Sequence, residues 1–505
     1  MKKSGILNLI YNLTGEEVEE IRLFLKSPVF VRKQVLCNFF EMIVEERYRF
    51  IEFSYNEVIE YLARNFNYSP GTVKKQLTYL NIELKKFLKV KENLSDEINA
   101  ENNINKYFLK RGLHSLLHSN LVHTDTKIFN RREIDEKLFL NSYNHSINQF
   151  NYLTNVLSTI NPKNTEKKIE TLNNSLEDII LYTIIQLTSA YINYSFLNVN
   201  IGQTGKINFP IDLDGIYKFV AKSGLFKKGS RNTDTYNLYN SMYYAFLVFN
   251  DKNHYLKYKS EVFNLTGHLS KELARFHYDV LINYCIMKQR TGEEYEFYIN
   301  EEVKLLYQYT ANNYFKENAY EYLAPETFRN FIVTAFYVGN YDLLKAFIDE
   351  NSTKLKPSDY VNFVNYGLAY FYLGIGDYRK ALKCVAKIGL SKFVFKFDII
   401  NIQIRLYFEL GHYEVVSDIA HNYRAQVIKD KILTKADKEQ LFVMLRFLNK
   451  LLQIQNSVDF EKQYNLAFYL RKSMEKVPVF GLRKWLFEKT DAVIEQYKSR
   501  KASSY

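Results

Sequence analysis

Apolar residues spaced three and four apart recur along the chain, each run introduced by a short polar leader. Val18, Ile21 and Leu25 follow Thr14-Gly-Glu-Glu17, and Val58, Ile59 and Leu62 follow Ser54-Tyr-Asn-Glu57. Both leaders have capping-box spacing: the hydroxyl and the carboxylate three residues later satisfy the free amides of a first helical turn. Pro28 then stops the first helix, because the residue before proline resists helical angles. Ser69-Pro70 starts another helix, with proline at its tolerated first position. The apolar residues of that helix, Val73, Leu77, Leu80, Leu84 and Phe87, form one narrow seam.

The same period continues and predicts an all-α chain. Residues 1–92 read as an N-terminal helical domain, and residues 93–200 as connecting long helices at 98–122, 126–160 and 176–198. "NPKNTEKKIETLNN", 161–174, is the most linker-like stretch, and 201–235 is a loop-rich interval, with the glycines of 200–234 and Pro210. Residues 236–430 repeat themselves. Residues 431–505 read as capping helices, with a final pair near 460–499 broken by Pro478 and Gly481 and carrying Phe468, Leu470, Trp485 and Leu486.

Composition supports this reading. The 505 residues are 47% hydrophobic, enough for a large core, and only 18 are Gly and 7 Pro, which favours helices over turn-linked strands. The three cysteines, Cys37, Cys285 and Cys384, are dispersed without a C-x-x-C pair, so a reducing, cytoplasmic setting is expected. The opening "MKKSGILNLIYNLTGEE" has a basic start, but Asn8 and Asn12 break its apolar run, so it reads as a first helix rather than an export signal. No stretch has the length of uncharged apolar sequence that membrane insertion requires. The net charge is +12, which suggests an anionic partner only where the charge is concentrated.

The stretch "NYGLAYFYLGIGDYRKALKCVAKI" resembles a tetratricopeptide repeat, a helix-turn-helix unit of about 34 residues. Asn365, Leu368, Ala369 and Tyr372 stand where the first helix of that unit carries its large, apolar, small and aromatic residues. Gly376-Asp377-Tyr378 matches the turn, and Ala381 the small residue of the second helix. Small residues let two helices approach closely, and glycine permits the turn. Gly339-Asn-Tyr341 and Gly411-His-Tyr413 recur on either side, with Ile332, Leu344, Ile404 and Val416 at the small positions; weaker echoes stand at Tyr255 and Tyr295. The resemblance implies a right-handed α-solenoid of helical hairpins following the N-terminal domain; an irregular helical bundle is the alternative. The opening block, with "FLKSPVF" after a capped helix, also resembles uncharacterised bacterial proteins, which brings no function with it.

In the tetratricopeptide family the first helices line a concave groove that takes a peptide. Carried over, this puts Tyr366 and Tyr370 on one exposed stripe, Asn401 and Arg405 on the next, and Arg329 with Val333 on the previous one, each pair four residues apart. Tyrosine and arginine suit an acidic protein or peptide partner. The alternative is that the tyrosines pack within the array.

A second candidate is an anion site at residues 215–260. There Lys218, Lys222, Lys227, Lys228, Arg231, Lys252, Lys257 and Lys259 face only Asp234 and Asp251, with Tyr236, Tyr239 and Tyr243 interleaved. Lys227, Lys228 and Arg231 are its centre. Basic residues beside stacking aromatics hold single-stranded nucleic acid. Lys74, Lys75, Lys85 and Lys86 on the helix after Ser69 could reach phosphates in the same way, although a plain helical hairpin also explains that segment.

Other chemistry finds little support. His114 and His118 have zinc-binding spacing, with His123 nearby, but "HSLLH" lacks the glutamate of H-E-x-x-H. "GQTGKI" has Asn200 where a phosphate loop needs glycine and Ile207 where it needs Ser or Thr. No nucleophile elbow occurs. The expectation is therefore a non-enzymatic scaffold or adaptor without cofactor or metal that binds a protein segment, with a nucleic-acid-binding regulator as the alternative.

Overall fold

The computed structural model describes residues 5–502 except 12, 32, 48, 52, 132, 156–161, 202–207, 227–230, 293, 317–321, 390–394, 431–432, 434 and 478–481. Among the described residues the chain is all-α, with 23 α-helices and no strand beyond one isolated bridge between Ile134 and Leu269. Two compact units divide it: Met1–Arg132 with Lys137–Tyr182, and Glu133–Glu136 with Thr183–Tyr505.

The first unit starts with α1 (Gly5–Tyr11), α2 (Gly15–Lys26), α3 (Val35–Glu45), α4 (Tyr55–Phe66) and α5 (Pro70–Ser95). Both capping boxes form: Glu17 N donates to Thr14 Oγ1 at 3.1 Å, and Thr14 N donates to the Glu17 carboxylate at 3.0 Å. Ser54 and Glu57 repeat the exchange ahead of α4. The seam of α5 faces inward, and Val73, Leu77, Leu80 and Leu84 are fully buried against α3 and α4. Each buried aliphatic side chain contributes about 1.5–3 kcal/mol of transfer free energy, so this five-helix cluster carries most of the local stability.

α6 (Glu97–Arg111), α7 (His114–Asn130) and α8 (Glu136–Asn155) follow, and their interior is polar. Asn102 Nδ2 donates to the Asn141 carbonyl at 2.9 Å, Asn148 Nδ2 to the Asn102 carbonyl at 3.2 Å, and Asn141 Nδ2 to Asp96 Oδ1 at 2.9 Å. A buried amide without such a partner costs more than the bond contributes, so these pairings fix how α6 and α8 align. The sequence reading of one helix over 98–122 is corrected here: Gly112 adopts φ 68° and ends α6, with Leu113 N donating to the Phe108 carbonyl. The helix expected over 126–160 is likewise divided between α7 and α8.

α9 (Pro162–Ile201) is one helix, so residues 162–174 are helical rather than a linker. α10 (Leu213–Ser223) lies within the interval expected to be loop, capped by Asp212, which accepts from Gly215 N. The second unit continues with α11 (Arg231–Leu247), α12 (Lys252–Leu265), α13 (Lys271–Thr291), α14 (Tyr295–Ala311), α15 (Pro325–Val338), α16 (Tyr341–Asn351), α17 (Tyr360–Gly374), α18 (Tyr378–Ala386), α19 (Lys396–Glu409), α20 (Tyr413–Lys429), α21 (Lys435–Gln455), α22 (Phe460–Glu475) and α23 (Arg483–Ala502). Consecutive helices pack as pairs from α11–α12 to α19–α20, and α22 packs on α23. α17 also lies against both α15 and α19.

One turn joins three of these pairs. Gly339, Gly376 and Gly411 have φ of 81°, 78° and 76°. After each, the next amide donates five residues back: Asn340 to Ala335 at 3.2 Å, Asp377 to Tyr372 at 2.9 Å and His412 to Tyr407 at 2.9 Å. This is the Schellman closure, which needs a left-handed residue just past the helix. Ile332, Leu344, Ala369, Ala381, Ile404 and Val416 are all fully buried, so the six small-position counterparts share one packing role.

Glycines absent from the motif reading accommodate the larger residues. A Cβ at Gly367 would meet Ile348 Cδ1 at 2.9 Å and Ile332 Cδ1 at 3.3 Å, and one at Gly374 would run into the Tyr341 ring. The Gly374→Ala substitution is therefore expected to destabilise the protein by about 1–3 kcal/mol through overpacking, with recovery when Tyr341→Leu is added. Thermal unfolding of the single and double variants checks this; an unchanged midpoint in the single variant would count against the contact.

Candidate functional site

α15, α17 and α19 bring the five predicted groove residues into one seam. Arg329 on α15 reaches past α17 to Asp398 on α19, with Nε donating to Oδ2 at 2.8 Å and Nη2 to Oδ1 at 3.1 Å. Tyr366 on α17 donates its hydroxyl to the same Oδ2 at 2.8 Å. The Tyr370 ring packs edge-on against Tyr366 at 5.1 Å and Phe336 at 5.1 Å.

This placement corrects the expectation of an exposed tyrosine stripe. Tyr366 is 0% and Tyr370 7% exposed. The four-residue spacing did place them on one face, but the convergence of α15 and α19 buries that face, and Asp398 supplies the partner that a buried hydroxyl requires. Burial, with Tyr370 and Asp398 close by, pushes the Tyr366 phenol far above its ordinary range. Burial alone would lower the Arg329 guanidinium, but the hydrogen bonds and charge of Asp398 outweigh it, and the net shift is upward.

Asn401 and Arg405, one turn apart on α19, are both half-buried. The Asn401 side chain lies beside Tyr423 of α20. Arg405 stacks its guanidinium over Phe336 at 4.7 Å and lies 6.0 Å from the Trp485 ring of α23. It forms no ion pair with any described residue, and its Nε is buried without an acceptor. Glu409, one turn further on, is committed elsewhere: Trp485 Nε1 donates to it at 2.8 Å and Lys489 Nζ at 2.6 Å. Lys484 Nζ donates to the Tyr337 carbonyl at 3.3 Å, so the start of α23 meets the end of α15.

Asp398, Phe336, Glu409 and Trp485 belong to this seam and were not among the residues predicted from the motif. Asp398 had a readable signal, being an acid three residues before Asn401 on the helix that carries Asn401 and Arg405. Trp485 had none, since its contact with α19 spans 76 residues.

Of the anion-site residues, Lys227 and Lys228 lie outside the described residues, as does the Arg231 side chain. Lys218 pairs with Asp214 at 2.5 Å, Lys252 with Glu294 at 3.2 Å, and Lys259 with Glu301. The interleaved rings do not form a stacking platform. Tyr239 and Tyr243 are buried, and Tyr236 is half-buried and stacked on Phe226 at 5.0 Å. The helical period that made them look interleaved is the period of a core face. On α5, Lys74, Lys75, Lys85 and Lys86 are exposed, and Lys86 pairs with Glu83 at 2.9 Å.

His114, His118 and His123 are exposed on α7, and His118 stacks on Tyr152 at 5.6 Å. Asp125 instead meets His145 of α8, Nε2 to Oδ1 at 2.7 Å. Residues 202–207, the "GQTGKI" stretch, lie outside the described residues. A further buried polar group is Glu302 on α14, which accepts from Gln289 Nε2 at 2.6 Å and Thr334 Oγ1 at 3.3 Å; burial pushes its carboxyl up to about 7.

Among the described residues no helix is long and apolar enough to cross a membrane. No family model, curated protein or solved structure matches the chain.

Proposed function

We propose that the second unit is a tetratricopeptide-like right-handed α-solenoid and that the protein is a non-enzymatic cytoplasmic scaffold that binds a segment of another protein. The observation that carries this reading is the threefold recurrence of one turn at Gly339, Gly376 and Gly411, with equivalent buried positions in each hairpin. Repeated hairpins stack on their neighbours and offer a long inner surface, which suits extended partners rather than small substrates. Within the seam, Arg329, Tyr366 and Tyr370 hold α15, α17 and α19 together and so shape the surface, while Asn401 and Arg405 stand at its half-exposed edge.

The alternative, nucleic-acid binding, draws its support from α5. Lys74, Lys75 and Lys85 are exposed there and form no ion pair with described residues. Native purification from the source cells, split with and without nuclease and repeated across a salt series, separates the two. A discrete protein partner that survives nuclease supports the scaffold. Material that vanishes with nuclease and falls away steeply with salt moves the function to the basic helix, because phosphate contacts release counterions.

A further inference from the structure

We infer that Arg405 is a carboxylate-recognition site, with the ligand an Asp or Glu side chain or a chain-terminal carboxylate of a protein segment; this rests on the scaffold reading of the second unit. Three observations converge on it. First, Arg405 is a half-buried guanidinium with no counter-ion among the described residues, and the two acids nearest along α19 are already committed, Asp398 to Arg329 and Tyr366, and Glu409 to Trp485 and Lys489. Second, its surroundings are aromatic: the guanidinium lies on Phe336 at 4.7 Å and within 6.0 Å of Trp485. Low-polarity walls strengthen a charge-assisted bond made between them, and stacking fixes the plane of the fork. Third, Nε is buried without an acceptor, and the two terminal nitrogens form no hydrogen bond with a described residue. A carboxylate arriving from outside can accept from those two nitrogens without displacing any internal contact. Lys484, next to Trp485 in the chain, donates its ammonium to the carbonyl of Tyr337, the residue after Phe336, and so brings a second positive charge to the end of α15.

Arg329 shows why the neighbouring arginine cannot do the same. Its fork is filled by Asp398, so the seam contains one arginine that is internally neutralised and one that is not. Charge complementarity therefore selects an acidic segment.

The chain contains a single tryptophan, Trp485, beside Arg405, which makes the site its own reporter. The full-length protein is titrated with N-acetyl-glutamate N-methylamide, and with the glutamine analogue as neutral control, while Trp485 fluorescence is followed. The expected result is a saturable change with the glutamate compound only. Affinity should fall at least about tenfold in Arg405→Met, which keeps the stem, and less in Arg405→Lys, which keeps the charge and loses the fork. Far-ultraviolet circular dichroism of each variant confirms that it is folded. An equal response to both compounds, or a carboxylate response that survives Arg405→Met, overturns the assignment. The scaffold reading is read separately, by capture of a nuclease-resistant protein partner on the wild-type and Arg405→Met chains. Capture that persists in the variant while the titration fails overturns the carboxylate site and leaves the scaffold standing. A carboxylate-specific titration without any captured partner supports the site and removes the scaffold.

Discussion

Replacing Asp398 with alanine is expected to remove about 2–3 kcal/mol from the unfolding free energy of the second unit. The carboxylate carries three hydrogen bonds from two helices, two from Arg329 and one from Tyr366. Its loss leaves a guanidinium and a phenol in a site built to neutralise them. Asp398 is 16% exposed and Arg329 32%, so water recovers part of the loss and the value falls below that of a fully buried pair. Removing both charges together, as Arg329→Met with Asp398→Leu, should return most of the stability, because no orphaned charge remains. Urea unfolding followed through Trp485 checks both, since that ring packs on Phe408 of α19 at 5.0 Å and reports on this unit. A single-variant loss below about 0.5 kcal/mol would mean that the pair behaves as a solvated surface contact.

What the sequence made readable follows from how local each determinant is. The capping boxes at Thr14 and Ser54, the proline start of α5 and its inward seam are settled within a few residues, and each formed as expected. The hairpin turns were readable because Gly-x-Tyr fixes a left-handed residue and a helix start within three positions. The break at Gly112 was missed although its signal is present: a lone glycine after Lys110 and Arg111, basic residues in a last turn. The apolar period continued across it and masked the change of direction.

Non-local features could not be read in this way. Tyr366 and Tyr370 lie on the stripe their spacing predicts, yet whether that stripe meets solvent depends on how far α15 and α19 close over α17. That closure is set by Arg329 finding Asp398 69 residues away. Likewise, Ile332 could occupy a position expected to be small only because Gly367 on a later helix gives way. A motif records one hairpin's needs, and the neighbours decide how they are met.

The contribution of Glu302 to the stability of the second unit should fall as the pH rises from about 4.5 to about 7, and Glu302→Gln should abolish that fall. Glu302 is 4% exposed, and burial pushes its carboxyl up to about 7 from an ordinary 4.5, with the Gln289 and Thr334 hydrogen bonds and the Arg329 charge opposing the shift only in part. Below about pH 4.5 both folded and unfolded chains hold the proton, and the favourable neutral burial is fully present. Between 4.5 and 7 the unfolded chain releases the proton while the folded chain keeps it, so stability drains away, and above 7 the loss is complete at about 3 kcal/mol. Glutamine preserves the packing: its carbonyl accepts from Gln289 and its amide donates to the Thr334 hydroxyl, at no ionisation cost. The variant should therefore match the wild type near pH 5 and exceed it by about 2–3 kcal/mol near pH 8.5. Asp279, pushed up to about 6 by burial, remains in both proteins and contributes the same limb to each. The acid limb should also be common to both, because His277, bonded through Nδ1 to Tyr258 and pushed down to about 3 by burial, stays neutral in the folded chain while the unfolded chain takes up a proton as the pH falls below about 6.5. Urea midpoints at pH 5, 7 and 8.5 decide the matter. Parallel pH profiles for the two proteins would place the Glu302 charge in contact with solvent and remove burial as the cause of its shift.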